Sequence, residues 1–274
     1  MKLSNNELES IKKIELEMLD VFIEICESHN IDYFLAGGTC LGAIRHEGFI
    51  PWDDDIDLGM LRSDFNRFEQ ACQTELPEPF FLQTMFTDPK CGLVFAKIRN
   101  TRTEMVENYC KNVDMEQGVW IDIFPYDAVP TDSKIRNAHI RKLNLLKNLY
   151  IVKSGYTMPK GKSLPQHIAY YIAKILVAFI PLNQIRDALY KQMTKYNGSS
   201  ESKFVYPAGG SYGPEKEVKS KEMLNSYCSV LFETRVCKTI ERYDDYLTQN
   251  YGDYMTLPPK EKRTTVHDIV KIKL

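Results

Sequence analysis

Apolar side chains recur at helical spacing near the start of the chain. They occupy Leu8, Ile11, Ile14, Met18, Phe22 and Ile25. Ser4 and Glu7, three residues apart, have the spacing of a capping box, which begins a helix by satisfying its first backbone N–H groups. The pattern therefore predicts an amphipathic helix over residues 4–29 whose apolar face packs on the rest of the fold.

The pattern changes at Ile31–Ala36, a short apolar run typical of a strand. Gly37 and Gly38 follow and favour a tight turn, because glycine readily adopts positive φ. Residues 39–46 then predict a short helix. A strand, a glycine turn and a helix N-terminus together present backbone N–H groups to an anion, so this stretch is a candidate phosphate site.

The later periodic segments predict a sheet with helices around it. A helix is expected to start at Ser63 or Asp64 and to end at Leu76, before the helix breakers Pro77 and Pro79. Strand-like runs that would extend the sheet begun near residue 31 cover 80–86, 93–98 and 119–124. Further helices are predicted at 134–153, 167–182 and 243–254, the last of them stopped near Gly252, and Pro258-Pro259 begins an extended tail. Turns or loops are expected at 157–166, 197–202 and 206–214, and the glycines and aromatic residues of 206–214 suit a substrate-lining turn.

Four carboxylates crowd into five positions, at Asp53, Asp54, Asp55 and Asp57. Because side chains alternate across a strand, Asp55 and Asp57 share one face, and Asp53 is placed to extend it. Carboxylates this close repel one another unless a cation lies between them. A hard divalent ion bound by carboxylates and by substrate phosphates explains the cluster, and Mg²⁺ fits best, with Mn²⁺ as the alternative. Asp53 and Asp54 either bind this ion or only shape the loop.

A fifth carboxylate, Asp122, lies inside an apolar strand, between Ile121 and Ile123. An unpaired carboxylate is costly to bury, which favours a metal-binding or proton-transfer role over a structural one. On the preceding strand, Lys97 and Arg99 are two residues apart and so project from the same face. They could neutralise the oxygens of a diphosphate, and the alternative is a solvated strand edge.

Composition and charge narrow the class of protein. With 274 residues, the chain is long enough for one full core with a helical appendage. The net charge of −2 conceals a segregation, because residues 133–186 carry ten Lys or Arg and no Asp or Glu, which leaves −12 on the rest. This basic block indicates contact with an anionic partner. Since it contains the apolar run 167–182, it favours a membrane surface, with a core helix as the alternative.

The seven cysteines occur without a C-x-x-C pair, which argues against a zinc ribbon or a disulfide framework. Reduced and mostly buried thiols are expected. The sequence also shows no signal-peptide pattern, so the expected location is cytoplasmic, with contact at the inner face of the membrane. No nucleic-acid recognition motif accompanies the basic block, and nucleic acid is not an expected partner.

The run GGTCLGAIRHEGFIPWDDDIDLGM, residues 37–60, resembles the signature of the LicD family, the phosphocholine transferases of bacterial surface glycans. The resemblance continues at VWIDIFPYD, residues 119–127, and at YGDYMTLPPKEKR, residues 251–263, and ends at His267. That family is similar in fold to the nucleotidyltransferases. The resemblance implies an α/β (α+β) fold with a mixed sheet flanked by helices and a basic and apolar helical insertion. We therefore expect a catalytic core at 1–132, the helical segment at 133–196 and a C-terminal part at 197–274 that completes the active site.

The resemblance implies transfer of phosphocholine from CDP-choline to a hydroxyl of a lipid-linked glycan such as teichoic acid or lipopolysaccharide, with release of CMP. Asp55 and Asp57 would hold the metal against the diphosphate, and Asp122 would share it or act as general base. Further contacts to phosphate or nucleotide are expected from Gly37, Gly38, Thr39, Arg45, His46, Lys97 and Arg99. The resemblance also favours Arg263 and His267 as substrate-binding residues that close over the active site. A choline group is recognised by aromatic faces, for which the candidates are Trp52, Trp120, Tyr126 and Tyr212.

Some of these assignments have structural alternatives. Arg45 and His46 could instead meet the dipole at a helix C-terminus, and Arg263 and His267 could belong to a solvated tail. Other functions also stay open, because the same site would serve transfer of another CDP-linked alcohol phosphate or nucleotidyl transfer from a nucleoside triphosphate. A noncatalytic glycan- or membrane-binding module is the third possibility. The three carboxylates count against it, since such a module has no need of them.

Overall fold

The computed structural model describes residues 3–158, 163–265 and 267–274, and it shows a mixed sheet flanked by helices. The helices are α1 (Asn5–Ser28), α2 (Gly37–His46), α3 (Arg62–Glu75), α4 (Ser133–Lys153), α5 (Leu164–Val177), α6 (Leu182–Met193), α7 (Pro214–Glu217) and α8 (Tyr243–Tyr251). The strands are β1 (Phe34–Leu35), β2 (Asp57–Leu61), β3 (Phe80–Gln83), β4 (Ala96–Asn100), β5 (Glu104–Glu107), β6 (Val119–Val129), β7 (Phe204–Pro207), β8 (Lys219–Ser220), β9 (Tyr227–Phe232), β10 (Arg235–Ile240) and β11 (Ile269–Lys273). Of the connection predicted at 157–166, residues 159–162 lie outside the described residues.

The central sheet runs in the order β1-β2-β6-β4-β3, and β7 and β8 continue it beside the second half of β6. β2 and β6 are parallel, and the other pairs in this sheet are antiparallel. β6 has eleven residues, all of them buried except Phe124. This arrangement confirms the predicted α+β fold, and it confirms that the strand-like runs join one sheet.

α1 begins as predicted. Ser4 accepts the backbone N–H of Glu7, and the Glu7 side chain accepts the backbone N–H of Ser4, which completes the capping box. The apolar face of α1, with Ile11, Met18 and Phe22 fully buried, packs across β4 and β6. The main hydrophobic core therefore lies between this helix, α3 and the sheet.

Several boundaries differ from the prediction. α3 begins at Arg62, before the predicted caps Ser63 and Asp64. The reason is that Arg62 is buried in a bidentate ion pair with Asp127 of β6, at 2.7 and 2.8 Å. β3 stops three residues early, where two hydrogen-bonded threonines form a turn. β4 lies slightly later than the predicted strand at 93–98, and β6 continues five residues beyond its predicted end.

Two pairs of strands were not predicted. β9 and β10 form a hairpin, and β11 in the C-terminal tail pairs with β5. The tail predicted as extended from Pro258 is therefore joined to the core by a strand. All seven cysteines are free, and six of them are buried, as expected.

A second, smaller core lies between α4, α6 and the end of the sheet at β7. α4 contributes Ile140 and Leu143 to it, α6 contributes Ile185 and Leu189, and α5 contributes Val177. Among the described residues, no single helix has the length and hydropathy needed to cross a membrane. The helices α5 and α6 have the required length and hydropathy only when they are taken together, and the pair is bent by 111°.

Candidate active site

A cavity of about 1010 Å³ opens beside the parallel strands β2 and β6. One wall comes from the sheet and carries the acidic residues together with Lys97. The facing wall comes from α4 and α5 and is mainly apolar. Residues from 207–217, from α8 and from the tail complete the lining.

Three carboxylates converge on this cavity from two neighbouring strands. Asp57 is the first residue of β2 and pairs in register with Asp122 on β6, while Asp55 lies just before β2. One oxygen of each carboxylate lies within 4.8 Å of the others, and Asp53, Asp54 and Asp55 form a second such group. The parallel register of β2 and β6 therefore fixes the relative positions of the acids.

Three of the acids, Asp53, Asp55 and Asp57, have a raised pKa, first because they are buried and then because other carboxylates lie close to them. Burial, together with the charges of Asp122 and Asp53, raises the pKa of Asp57 to about 8. Burial and the charge of Asp54 raise the pKa of Asp53 to about 6. Burial and the charge of Asp57 raise the pKa of Asp55 well above its usual range. A divalent cation would relieve this repulsion, and a donor set of carboxylates alone fits a hard ion such as Mg²⁺ or Mn²⁺.

Gly37 and Gly38 line the cavity beside these acids. Gly37 has a φ of +49°, and a Cβ atom there would lie 2.6 Å from Oδ2 of Asp57. A Cβ atom at Gly38 would lie 2.9 Å from Oδ2 of Asp53. Glycine is therefore needed for the turn to approach the carboxylates. The backbone N–H of Gly37 donates to the hydroxyl of Tyr246 on α8 (3.0 Å).

Three further candidates on α2 face the protein. Thr39 is buried, and its Oγ1 accepts the backbone N–H of Asp57 (2.7 Å), so it positions a member of the acidic cluster. Arg45, in the last turn of the helix, donates to Nε2 of His46 (3.0 Å) and to the carbonyl oxygen of Tyr254 (2.7 Å). In the part of the chain that the structure describes, all three residues lie outside the cavity lining. For Arg45 and His46 this arrangement favours the structural alternative.

Lys97 and Arg99 lie on β4, between β6 and β3, so the interpretation as a solvated strand edge is wrong. Both are buried against Trp120, with Nζ of Lys97 at 3.9 Å and Cζ of Arg99 at 4.9 Å from the ring. Lys97 lines the cavity and forms an ion pair with Asp122 (2.9 Å). Arg99 donates instead to the carbonyl oxygen of Gly118 (2.8 Å). Of the two cations, Lys97 faces the acids and Arg99 stabilises the sheet.

His267 in the tail reaches the acidic run. Its Nδ1 lies 3.1 Å from Oδ1 of Asp54, and its Nε2 lies 4.0 Å from Oδ2 of Asp55. The ring meets Trp120 edge-on, at 5.2 Å between centroids. Burial alone would lower the pKa of His267, but the hydrogen bond to Asp54 and the nearby charge of Glu107 raise it above its usual value. His267 thus lies over the acidic run, where the resemblance placed it.

The four aromatic candidates divide into two groups. Tyr126 and Tyr212 line the cavity. Trp120 is buried between the two cations of β4, and Trp52 lies under the guanidinium of Arg263 at 5.5 Å. Within the described ranges neither tryptophan nor Arg263 belongs to the cavity lining. Two of the four aromatic candidates therefore lie at the cavity.

Sequence analysis did not single out Glu217 and Tyr246, which line the cavity beside Tyr126 and Tyr212. Tyr246 is hydrogen-bonded to Tyr126, and the buried Glu217 accepts the backbone N–H of Tyr212 (3.0 Å). The signal in the sequence was the pair Gly209-Gly210, and in the structure a Cβ atom at Gly210 would lie 2.4 Å from Glu217. A glycine pair at this turn marks a close approach of another group. Aromatic rings around one carboxylate suit a cationic ligand.

α1 contributes one further carboxyl group, Glu15, which is fully buried. Burial and the charges of Asp54 and Asp53 raise the pKa of Glu15 well above its usual range, which favours the protonated form. Glu15 was not among the predicted site residues, although its position in the sequence is unusual. Glu15 lies four residues after Ile11, on the apolar face of a helix that is otherwise regular in its pattern.

Comparisons with known proteins extend these observations. A family model described as "LicD/FKTN/FKRP, nucleotidyltransferase domain" matches residues 30–148, which include the acidic run and Asp122. The chain is 32% identical over 269 residues to the lipopolysaccharide cholinephosphotransferase LicD of Haemophilus influenzae, with 92% of each chain covered. It is also 44% identical over 105 residues to the human ribitol 5-phosphate transferase FKRP, a match that covers 36% of this chain and 21% of that protein.

Proposed function

The chain belongs to the LicD family, and from that premise we propose that it transfers phosphocholine from CDP-choline to a hydroxyl group of a lipid-linked surface glycan such as teichoic acid or lipopolysaccharide. Its relatives establish the coarser class, a phosphotransferase enzyme. The observation that carries the finer proposal is the convergence of Asp55, Asp57 and Asp122 on one cavity. In the reaction, the acceptor oxygen forms a bond to the phosphorus that bears choline. The bond from that phosphorus to the bridging oxygen breaks, and CMP leaves.

The three acids would hold Mg²⁺, or Mn²⁺, with Asp53 as a further ligand. An ion bound there neutralises charge on the diphosphate and on the departing CMP. Lys97 adds a fixed positive charge at the cavity surface, where it can neutralise a phosphoryl oxygen. Asp122 shares the ion or accepts the proton of the attacking hydroxyl as general base. Its ion pair with Lys97 favours the first of these roles.

The aromatic side of the cavity supports a cationic headgroup. The rings of Tyr126, Tyr212 and Tyr246 lie there with the carboxyl group of Glu217. A quaternary ammonium ion cannot accept or donate a conventional hydrogen bond, and it is attracted by aromatic faces and by negative charge. A CDP-linked polyol is the second candidate donor, because the human relative is named as a ribitol 5-phosphate transferase.

The proposal includes a cytoplasmic location at the inner face of the membrane, where a lipid-linked acceptor would be met. The acid-free basic segment 133–186 supports contact with an anionic surface.

Calorimetric titration with CDP-choline, CDP-ribitol and CTP, each with and without Mg²⁺, tests the donor. We expect tight binding of CDP-choline that depends on the metal, and weaker binding of the other two nucleotides. Preference for CDP-ribitol would keep the mechanism and replace the donor. Release of pyrophosphate from CTP would indicate nucleotidyl transfer, and binding of none of the three would favour a noncatalytic module.

A further inference from the structure

α5 presents an apolar face to the outside of the molecule. Its outward side chains recur at spacings of three, four and seven residues, which places them on one side of the helix. Those between 52% and 73% exposed are Leu164, Ile168, Tyr171, Ile172, Ile175 and Leu176, and Phe179 beyond the helix end is 93% exposed. Exposed apolar residues on soluble proteins are usually scattered singly, whereas a contiguous apolar face marks an interaction site.

The opposite face of α5 belongs to the reaction cavity. The residues of this helix that line the cavity with the three acids are Gln166, Ala169, Tyr170 and Ala173. The Tyr170 hydroxyl donates to the carbonyl oxygen of Tyr156 (3.0 Å), and the buried Val177 fixes the end of the helix in the second core. One layer of helix therefore separates the cavity from the apolar outer face.

α5 and the helix packed on it, α4, both carry exposed positive charges. The exposed cations of segment 133–186 among the described residues include Lys134, Arg141, Lys142 and Lys174. Lys147 and Lys153 serve the fold instead, because they donate to the carbonyl oxygens of Ala208 (2.7 Å) and Ala178 (3.0 Å). Cations on α5 and on the neighbouring α4 complement anionic lipid headgroups, and no acidic residue occurs between 133 and 186 in the chain to oppose them.

The length of α5 fixes how it can meet a bilayer. A helix of 14 residues is about 21 Å long, which is shorter than the hydrocarbon core of about 30 Å. We propose that α5 docks in the plane of an anionic membrane, with its outer face in the headgroup boundary and its inner face lining the path of a lipid-linked acceptor to the cavity. The docking rests on the two faces of α5. The nature of the acceptor rests on the proposed function.

Flotation of the full chain with vesicles tests the docking. The wild type is expected to float with vesicles of phosphatidylcholine mixed with phosphatidylglycerol, and less with phosphatidylcholine alone. The double variant Ile175→Glu with Leu176→Glu should lose partitioning on the order of a hundredfold, because two apolar side chains become charged. The matched control is Leu231→Glu with Val236→Glu, two exposed apolar residues paired across the hairpin β9–β10, and it should float like the wild type.

Tryptophan fluorescence tests the docking without relying on a variant that could lose flotation because it misfolds. In Ile172→Trp the new indole should shift its emission to the blue when the anionic vesicles are added. In Val236→Trp it should not. Equal flotation of the α5 variant and the control, or no flotation by the wild type, would overturn the proposal. So would a wild-type dimer that the α5 variant converts to a monomer, since the apolar face would then bind a second copy.

Binding of CDP-choline separates this inference from the proposed function. The α5 double variant should bind the soluble donor with the affinity of the wild type, because the acids and the outer face lie on opposite sides of the helix. If the protein floats but binds no CDP-linked donor, the function is wrong and the docking stands. If it binds the donor and does not float, the docking is wrong and the function stands.

Discussion

The two walls of the reaction cavity are built in opposite ways. On the sheet wall, the polar groups have polar partners: Lys97 forms an ion pair with Asp122 at 2.9 Å, and Asp54 is hydrogen-bonded to His267 of the tail at 3.1 Å. On the helical wall, α4 and α5 contribute mainly apolar side chains, and the outer face of α5 is exposed. The sheet wall is fixed by backbone pairing, whereas the helical wall is held by side-chain packing. Under the proposed function, the first wall carries out the transfer and the second admits the acceptor.

The largest expected effect comes from the sheet wall. Asp57→Asn should lower turnover on the order of a thousandfold, because a bound metal ion supplies several kcal/mol of transition-state stabilisation. The measurement is the rate of CMP release from CDP-choline, with thermal unfolding as the test of folding. The matched control is Asp114→Asn, whose side chain is 90% exposed in an ion pair with Lys90. Unchanged turnover in Asp57→Asn would rule out the metal site.

Lys97→Met tests the charge pairing of the same wall. It leaves Asp122 buried without its partner, which should lower the free energy of unfolding by about 3–5 kcal/mol. Chemical denaturation measures this loss. The double variant with Asp122→Asn should recover most of the stability and none of the activity. If the single variant is as stable as the wild type, the ion pair has no structural role.

The stability of the metal-free protein should depend on pH. Because the pKa of Asp57 is raised to about 8 in the folded protein, against about 4 for an ordinary aspartate, the folded state binds more protons than the unfolded chain between these values. Stability should therefore fall as the pH rises from about 4 to 8. Calorimetric Tm values in chelator should show this fall, and Mg²⁺ or Asp57→Asn should reduce it. A Tm that rises through this range would contradict the assignment.

The smallest expected effect lies at the aromatic side of the cavity. Tyr212→Leu should weaken binding of CDP-choline about fivefold, since one cation–π contact contributes roughly 1 kcal/mol. The affinity for CTP should stay the same, because CTP carries no quaternary ammonium group. Phe86→Leu, another exposed aromatic residue, is the control. Equal weakening of both nucleotides would show that Tyr212 contacts the nucleotide and not the headgroup.

Sequence reasoning succeeded where the relevant contacts are local. The capping box at Ser4 and the helix that follows it depend on neighbouring residues, and both are found. The grouping of Asp55 and Asp57 depends on strand alternation over three positions. Asp122 was also singled out, because a carboxylate inside an apolar strand needs a specific partner. Its partner Lys97 lies directly opposite on β4.

The hairpin β9–β10 was missed because its turn lacks the usual residues. A two-residue hairpin turn needs positive φ, which Gly or Asn normally supplies, but here Glu233 adopts a φ of +55°. Distant groups stabilise it. The backbone N–H of Glu233 donates to the carbonyl oxygen of Glu47 (2.7 Å), and its carboxylate accepts the backbone N–H of Phe49 (3.0 Å). The sequence pattern around Glu233 cannot predict these contacts, because the partners are distant in the chain.

Contacts between distant residues also explain why the aromatic side of the cavity was only partly predicted. Glu217 and Tyr246 lie more than 90 residues after Asp122 in the chain and reach the cavity only because β7 pairs with the second half of β6 and α8 packs on α2. The spacing of residues along the chain does not predict that these two side chains line the same cavity as the acids. Trp52 and Trp120 were predicted to contact choline, but neither lines the cavity among the described residues. Their surroundings, Arg263 for Trp52 and the cations of β4 for Trp120, come from distant parts of the chain.

The parallel pairing of β2 with β6 has a consequence for how such an enzyme can diversify. Asp57 and Asp122 face each other through backbone register, and the 64 residues between them include α3, β3, β4, β5 and their loops. Insertions or deletions in those loops leave the pairing unchanged, because loops tolerate changes in length far better than strand register does. Lineages can therefore lengthen or shorten these loops while the two carboxylates keep their geometry.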